Sequence, residues 1–192
     1  MPSISTNHNP FSDWRAPPSA APPPSVFGAL PYPRPNSAYS VYVMSFNPTV
    51  LNCEVLGGRA KVCYTVSTDD AMPGYTVVKC AKGKCLALVE WREHPRVEVR
   101  GTVPKQDSRA WLRLSRDQTY RTMTVGEAEY TWTPDNQYVN LHSSGPSQRF
   151  FGRISRGEDS VIIEVTDNAL QLGLLDPIVA AAVLLQCGQN ID

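Results

Sequence analysis

From Ala38 onward, apolar and polar residues alternate in short runs broken by turn residues, which is the period of β-strands. The runs predict strands at 39–46, 50–56, 61–68, 75–80, 85–93 and 97–103, then at 110–114, 120–125, 129–133, 138–141, 149–154 and 161–165. Asn47-Pro48, Gly57-Gly58, Pro73-Gly74, Lys82-Gly83, Pro134-Asp135 and Gly157 punctuate them. In Arg96-Val97-Glu98-Val99-Arg100 the valines fall on one face and the charges on the other, as in a half-buried strand. About a dozen strands at this spacing predict a mainly β domain, a closed barrel or a sandwich.

The pattern changes once. Ile178-Val179-Ala180-Ala181-Ala182-Val183-Leu184-Leu185 is apolar on every face, so as a helix it must be surrounded by protein or by lipid. Asp176 suits its N-cap, Pro177 its first turn, and Gly188 the residue after its end. Residues 177–187 span roughly 16 Å at 1.5 Å per residue. A bilayer core is about 30 Å thick. Gly173 and Asp176-Pro177 stop the helix from extending back to Leu170, and no Lys or Arg follows to anchor it. The expectation is a helix enclosed by the strands that precede it.

Composition divides the chain. Ten of its 17 prolines lie before Asn36, and the first 38 residues show no apolar periodicity. That segment reads as a disordered Pro-rich tail, 1–38, ahead of a single domain, 39–192. Leu30-Pro31-Tyr32-Pro33-Arg34-Pro35 is a candidate docking run for an SH3-like or WW-like partner. Net charge is zero, which gives no general attraction to nucleic acid or to an acidic membrane and leaves only local basic patches. There is no signal peptide and no open glycosylation sequon. Five cysteines without a secreted framework's spacing then point to an intracellular, cytoplasmic, reducing environment.

Three stretches carry a family likeness. The first is Leu86-Ala87-Leu88-Val89-Glu90-Trp91, followed by Val97 and Gly101; the second runs from Arg121-Thr122-Met123-Thr124 to Glu129-Tyr130-Thr131-Trp132. The third is Phe151-Gly152-Arg153-Ile154, then Ile162 to Val165, then Leu174-Leu175-Asp176 and the helix. Their order resembles an uncharacterised fungal (basidiomycete) domain family of the tubby-like group, which includes LURP-one-related proteins and phospholipid scramblases. The resemblance implies a closed β-barrel around a central C-terminal helix. It carries over no catalytic residues, and neither the phosphoinositide motif of tubby domains nor the acidic calcium loop of scramblases has a match here.

The chemistry-bearing residues are scattered. If Lys82-Gly83 is a two-residue hairpin turn, Cys80 and Cys85 face each other as a candidate redox pair. Cys53, Cys63, Cys80 and Cys85 lack zinc-knuckle spacing, so no metal or cofactor is expected, and Cys187 reads as a buried small hydrophobe. His8, His94 and His142 are isolated, and His142-Ser143-Ser144-Gly145 reads as a loop rather than a nucleophile elbow. With no nucleophile, base and orienting group to assemble, an enzyme is not expected. Lys79, Lys82, Lys84, Arg92, Arg96 and Arg100, with Arg149, Arg153 and Arg156, form a candidate anion or phospholipid site if they share a face. Trp91, Trp111, Tyr130 and Trp132 are expected in the core. The sequence therefore predicts a non-enzymatic binding module, with peripheral phosphoinositide or other phospholipid binding as the alternative.

Overall fold

The computed structural model describes residues 39–68 and 72–192. The Pro-rich segment 1–38, with its Leu30–Pro35 run and His8, lies outside the described residues.

Alternation produces one antiparallel sheet of thirteen strands. They are β1 (Tyr39–Thr49), β2 (Asn52–Leu56), β3 (Val62–Ser67), β4 (Tyr75–Cys80), β5 (Cys85–Glu90), β6 (Arg96–Val99), β7 (Val103–Asp107), β8 (Leu112–Leu114), β9 (Arg121–Val125), β10 (Ala128–Asp135), β11 (Tyr138–Ser143), β12 (Phe150–Arg156) and β13 (Ser160–Thr166). Three helices accompany them: α1 (Ser108–Trp111), α2 (Asp167–Gln171) and α3 (Leu175–Gln186). The spatial order is β7-β6-β5-β4-β3-β2-β1-β13-β12-β11-β10-β9-β8. The chain thus meanders outward to β7, restarts at β8, and meanders back until β13 pairs with β1.

The expected barrel is not closed: β7 and β8 are the two ends of the sheet. Between them the chain turns into α1, whose first amide, Ser108 N–H, donates to Pro95 O at 2.8 Å. The predicted 97–103 strand divides at Gly101, which takes φ +83° in a turn closed by Thr102 N–H to Val99 O at 3.1 Å. The resulting strand β7 is short, polar and contains Pro104, so apolar alternation could not reveal it. The predicted 110–114 strand begins instead as the second half of α1.

The sheet curls about α3. The neighbouring strands β5 and β6 contact this helix, and so does β13, which lies far from them in the strand order. Every residue from Pro177 to Gln186 is buried, as expected for a helix apolar all round. Among the described residues no helix is long and apolar enough to cross a membrane. Inward rows from the strands complete the core, including Met44, Val55, Val89, Val97, Val99, Leu141, Ile154 and Ile163. Trp111, Trp132 and Tyr130 are buried as expected, whereas Trp91 is half-buried and donates through Nε1 to Thr76 Oγ1 at 2.7 Å.

The helix start differs from expectation. Asp176 is in the first turn and does not cap it; the N-cap is Leu174. The cause is the preceding helix. Thr166 caps α2 by accepting from Ala169 N–H, and α2 ends with Leu174 N–H bonded to Ala169 O and Gly173 N–H to Leu170 O. This paired closure requires a left-handed residue, which Gly173 supplies at φ +70°. The chain leaves that turn already helical, and Ile178 N–H bonds back to Leu174 O at 2.9 Å. The far end follows expectation, with Gly188 at φ +71° after Cys187.

Candidate functional site

The β-ladder brings the 57–61 loop, the β4–β5 turn and the start of α3 to one end of the sheet. Tyr64 lies opposite Cys80 across β3 and β4, and Ala81 N–H donates to Cys63 O at 2.9 Å. The 57–61 loop is closed by Gly57 N–H to Lys61 O at 2.8 Å. Within it Arg59 and Ala60 both take left-handed φ, 60° and 53°, a region that non-glycine residues rarely occupy. Gly57 also has a steric role, since a Cβ there would lie 2.7 Å from Cys63 Sγ.

These elements enclose an open pocket of about 390 Å³. Its walls are mainly Tyr42, Val62, Cys63, Tyr64, Leu86 and Leu175, and Lys61 and Lys82 are exposed on its rim. Neither lysine forms an ion pair among the described residues. At the floor, Tyr64 OH donates to Asp176 Oδ1 at 2.7 Å, fastening α3 to β3. Burial, then the Asp176 carboxylate, pushes the Tyr64 phenol well up. Burial, then Cys63, also raises Tyr42. Both phenols therefore stay protonated at neutral pH, and Tyr64 gives its O–H to Asp176. The pocket combines an apolar wall, two cations at its mouth and protonated phenols, a lining suited to holding a ligand.

The sequence-predicted basic residues do not share one face. Lys79, Lys82 and Lys84 lie on the β4–β5 hairpin, and Arg100 joins them at this end through Arg100 N–H to Leu86 O at 2.8 Å. Arg92 and Arg96 lie at the opposite end of β5 and β6, where Arg92 pairs with Glu90 and Arg96 approaches Asp107 at 3.8 Å. Arg153 pairs with Glu164 on the outer face of β12 and β13. Arg156 reaches Gln186 O at 3.5 Å, at the C-terminal end of α3, where a cation complements the helix dipole. Arg149 sits in the loop before β12. Nothing in the sequence marks Lys61, which precedes a strand and has no basic neighbour except Arg59.

The hairpin geometry expected for the cysteines also changes. Gly83 N–H bonds to Cys80 O and Cys80 N–H to Lys84 O, with Gly83 at φ +78°. This is a three-residue turn with a bulge, so Cys85 lies opposite Lys79 instead of Cys80. All five cysteines are free. Burial raises Cys53 to about 12 and Cys187 to about 11, which keeps both as inert thiols. His142 lies in strand β11, half-buried and edge-on to Phe150, and not in a loop. Among the described residues no group of three His, Cys, Asp or Glu side chains is placed to hold a metal.

The signature of the "Family of unknown function (DUF6593)" matches residues 47–189. The chain belongs to this family. The match covers every strand from β2 to β13 and all three helices, so the pocket described above lies within the family's domain apart from Tyr42. No curated protein matches the chain. Among solved structures, it is similar to the X-ray structure of the Arabidopsis thaliana protein AT5G01750, at 10% identity and a TM-score of 0.40, over 74% of this chain and 91% of that one.

Proposed function

We propose that this DUF6593 protein is a non-enzymatic binding module whose ligand is an anionic membrane phospholipid, taken at the pocket beside the start of α3. The observation that carries the reading is the pairing of an apolar pocket with Lys61 and Lys82, two rim cations that no acid among the described residues neutralises. Lys84 and Arg100 add positive charge at the same end, while Asp176 is engaged by Tyr64. A phosphate between the lysines would leave the acyl portion against Leu86, Val62 and Leu175. A sheet curled on a central apolar helix is also in keeping with a tubby-like, intracellular domain. The Leu30–Pro35 run remains a proposed docking segment for an SH3-like or WW-like partner.

Co-sedimentation with phosphatidylcholine vesicles, with and without phosphatidylserine or phosphatidylinositol bisphosphate, tests the reading. Binding is expected only to the anionic vesicles and should fall as salt is raised. A lysine near a charged membrane surface contributes about 1 kcal/mol, so Lys61→Ala or Lys82→Ala should weaken binding about fivefold. No sedimentation at low salt, or unchanged binding by both variants, would reject it.

A further inference from the structure

A second cleft lies on the outer face at the other end of the sheet, where strands β10 and β11 meet. Asp135 pairs with Tyr138 across a two-residue turn, Asn136-Gln137, in which Asn136 takes φ 50°. The cleft has a volume of about 600 Å³ and is lined by Asp135, Asn136, Gln137, Tyr138, Asn140 and Arg153, within the usual range of ligand sites. The lining differs from that of the pocket beside α3: it has three carboxamides, one carboxylate, one phenol and one guanidinium, and no aliphatic side chain.

Most of this lining is held in place by itself. Glu164 pairs with Arg153. The Arg153 guanidinium stacks 4.2 Å from the Tyr138 ring centre. Gln137 Nε2 donates to the Tyr138 hydroxyl at 2.9 Å, and Asn136 Nδ2 donates to Asp135 Oδ1 at 2.9 Å. Asn140 is the exception. The register sets it between Thr133 on β10 and Arg153 on β12, half-buried. Its carboxamide has no hydrogen-bond partner among the described residues. Its donor and acceptor stay open to whatever fills the cleft, whose other side chains are already oriented.

We propose that this cleft binds a neutral oligosaccharide. Each sugar hydroxyl both donates and accepts, as does a carboxamide, so Asn140 and its amide neighbours match vicinal hydroxyls. Arg153 covers one face of the Tyr138 ring, so the C–H face of a pyranose rests on the other. Charge excludes the acidic alternatives. Glu164 neutralises Arg153, and Asp135 is negative, so the site has no net attraction for phosphate, nucleic acid or uronate. A peptide added as a strand is excluded as well, because β10 and β11 are paired on both sides and offer no free backbone edge.

The test is an NMR titration of the full chain with the hexasaccharides of β-linked glucose and of β-linked N-acetylglucosamine, with hexagalacturonate as the acidic comparison. Saturable shifts confined to the β10–β11 hairpin and β12 are expected with at least one neutral sugar and not with the acidic one. Asn140→Ala should weaken binding about tenfold, and Tyr138→Leu, which keeps an apolar side chain but removes the ring, should weaken it similarly. Lys61→Ala should leave it unchanged, which separates this site from the phospholipid reading. No saturation by either neutral sugar, a preference for hexagalacturonate, or full affinity in a folded Asn140→Ala variant would overturn the proposal.

Discussion

Placing a carboxylate at the centre of α3 tests whether the sheet truly encloses the helix. Ala181 has no exposed surface, and its helical neighbours from Pro177 to Leu185 are all buried and apolar. Ala181→Asp therefore introduces three costs. The larger side chain overpacks a filled core, about 1–3 kcal/mol. A neutral carboxyl without partners costs about 1–3 kcal/mol more. Ionisation adds the third: the buried group stays protonated in the folded state, while the unfolded chain releases its proton above a pKa of about 3.9. Each pH unit above that value favours unfolding by about 1.4 kcal/mol, or about 4 kcal/mol at pH 7. The sum is comparable to the about 5–15 kcal/mol that stabilises a typical domain.

The third cost is separable because Ala181→Asn carries the first two and does not titrate. Urea unfolding followed by circular dichroism should show the Asp variant below the Asn variant by about 4 kcal/mol at pH 7 and about 1.5 kcal/mol at pH 5. If Ala181→Asp is already unfolded at pH 7, its refolding on acidification, relative to Asn, measures the same linkage. A helix lying in a membrane would instead alter the partition between pellet and supernatant without unfolding the sheet. An Asp variant as stable as the wild type, or an Asp–Asn difference independent of pH, would refute the enclosed helix.

Two further predictions concern the sheet. A Cβ on Gly152 would lie 2.5 Å from the Glu164 carbonyl oxygen, backbone that can move only by breaking the β12–β13 ladder, so Gly152→Ala should cost about 1–3 kcal/mol in urea unfolding. Gly58→Ala, with nothing within 4 Å, is the control and should change stability by less than about 0.5 kcal/mol; equal costs would refute the close approach. Glu90 is buried, and the Lys105 ammonium, the Tyr75 hydroxyl and then Arg92 hold its carboxyl down to about 2 from 4.5. A depressed folded pKa gives stability that is present above the unfolded value and lost as pH falls toward the folded one. The stability difference between wild type and Glu90→Gln should therefore close between about pH 5 and pH 2, and a difference that stays constant across that window would contradict the network.

The parts that were legible in the sequence are those governed by short periods. Val97 and Val99 alternate with Arg96 and Glu98, and the first pair is fully buried. Residues 178–185 show no polar face, and the helix is buried on all sides. Turn chemistry is less legible, because one residue changes its outcome. Lys82-Gly83 reads as a two-residue turn, yet placing Gly83 in the bulge position lengthens the loop and shifts Cys85 opposite Lys79. Asp176 has the composition of an N-cap, but the Gly173 turn delivers the chain already helical and leaves Asp176 to receive Tyr64 from 112 positions away. The pocket was illegible for the same reason: Lys61 and Lys82 become partners only through the register of β3 with β4.

The seam between β7 and β8 shows why a meander of this kind need not close. Closure would require β7 to present a row of free amides to β8. Pro104 removes one of them, Lys105 turns its side chain to Glu90 at 2.9 Å, and α1 diverts the Ser108 amide to Pro95. Residues after α3 occupy the gap instead. Ile191 is fully buried and its carbonyl lies 2.7 Å from Ser108 Oγ. The Asp192 carboxylate takes both arms of Arg121, at 2.8 and 2.7 Å, and Arg121 itself has no exposed surface. A buried guanidinium is costly unless it is met by an anion and by hydrogen bonds, and Arg121 also donates to Leu112 O on β8 at 2.8 Å. The edge is thus sealed by side chains and by the segment that follows the central helix, so the same stretch of sequence that fills the hollow of the sheet also covers its open side.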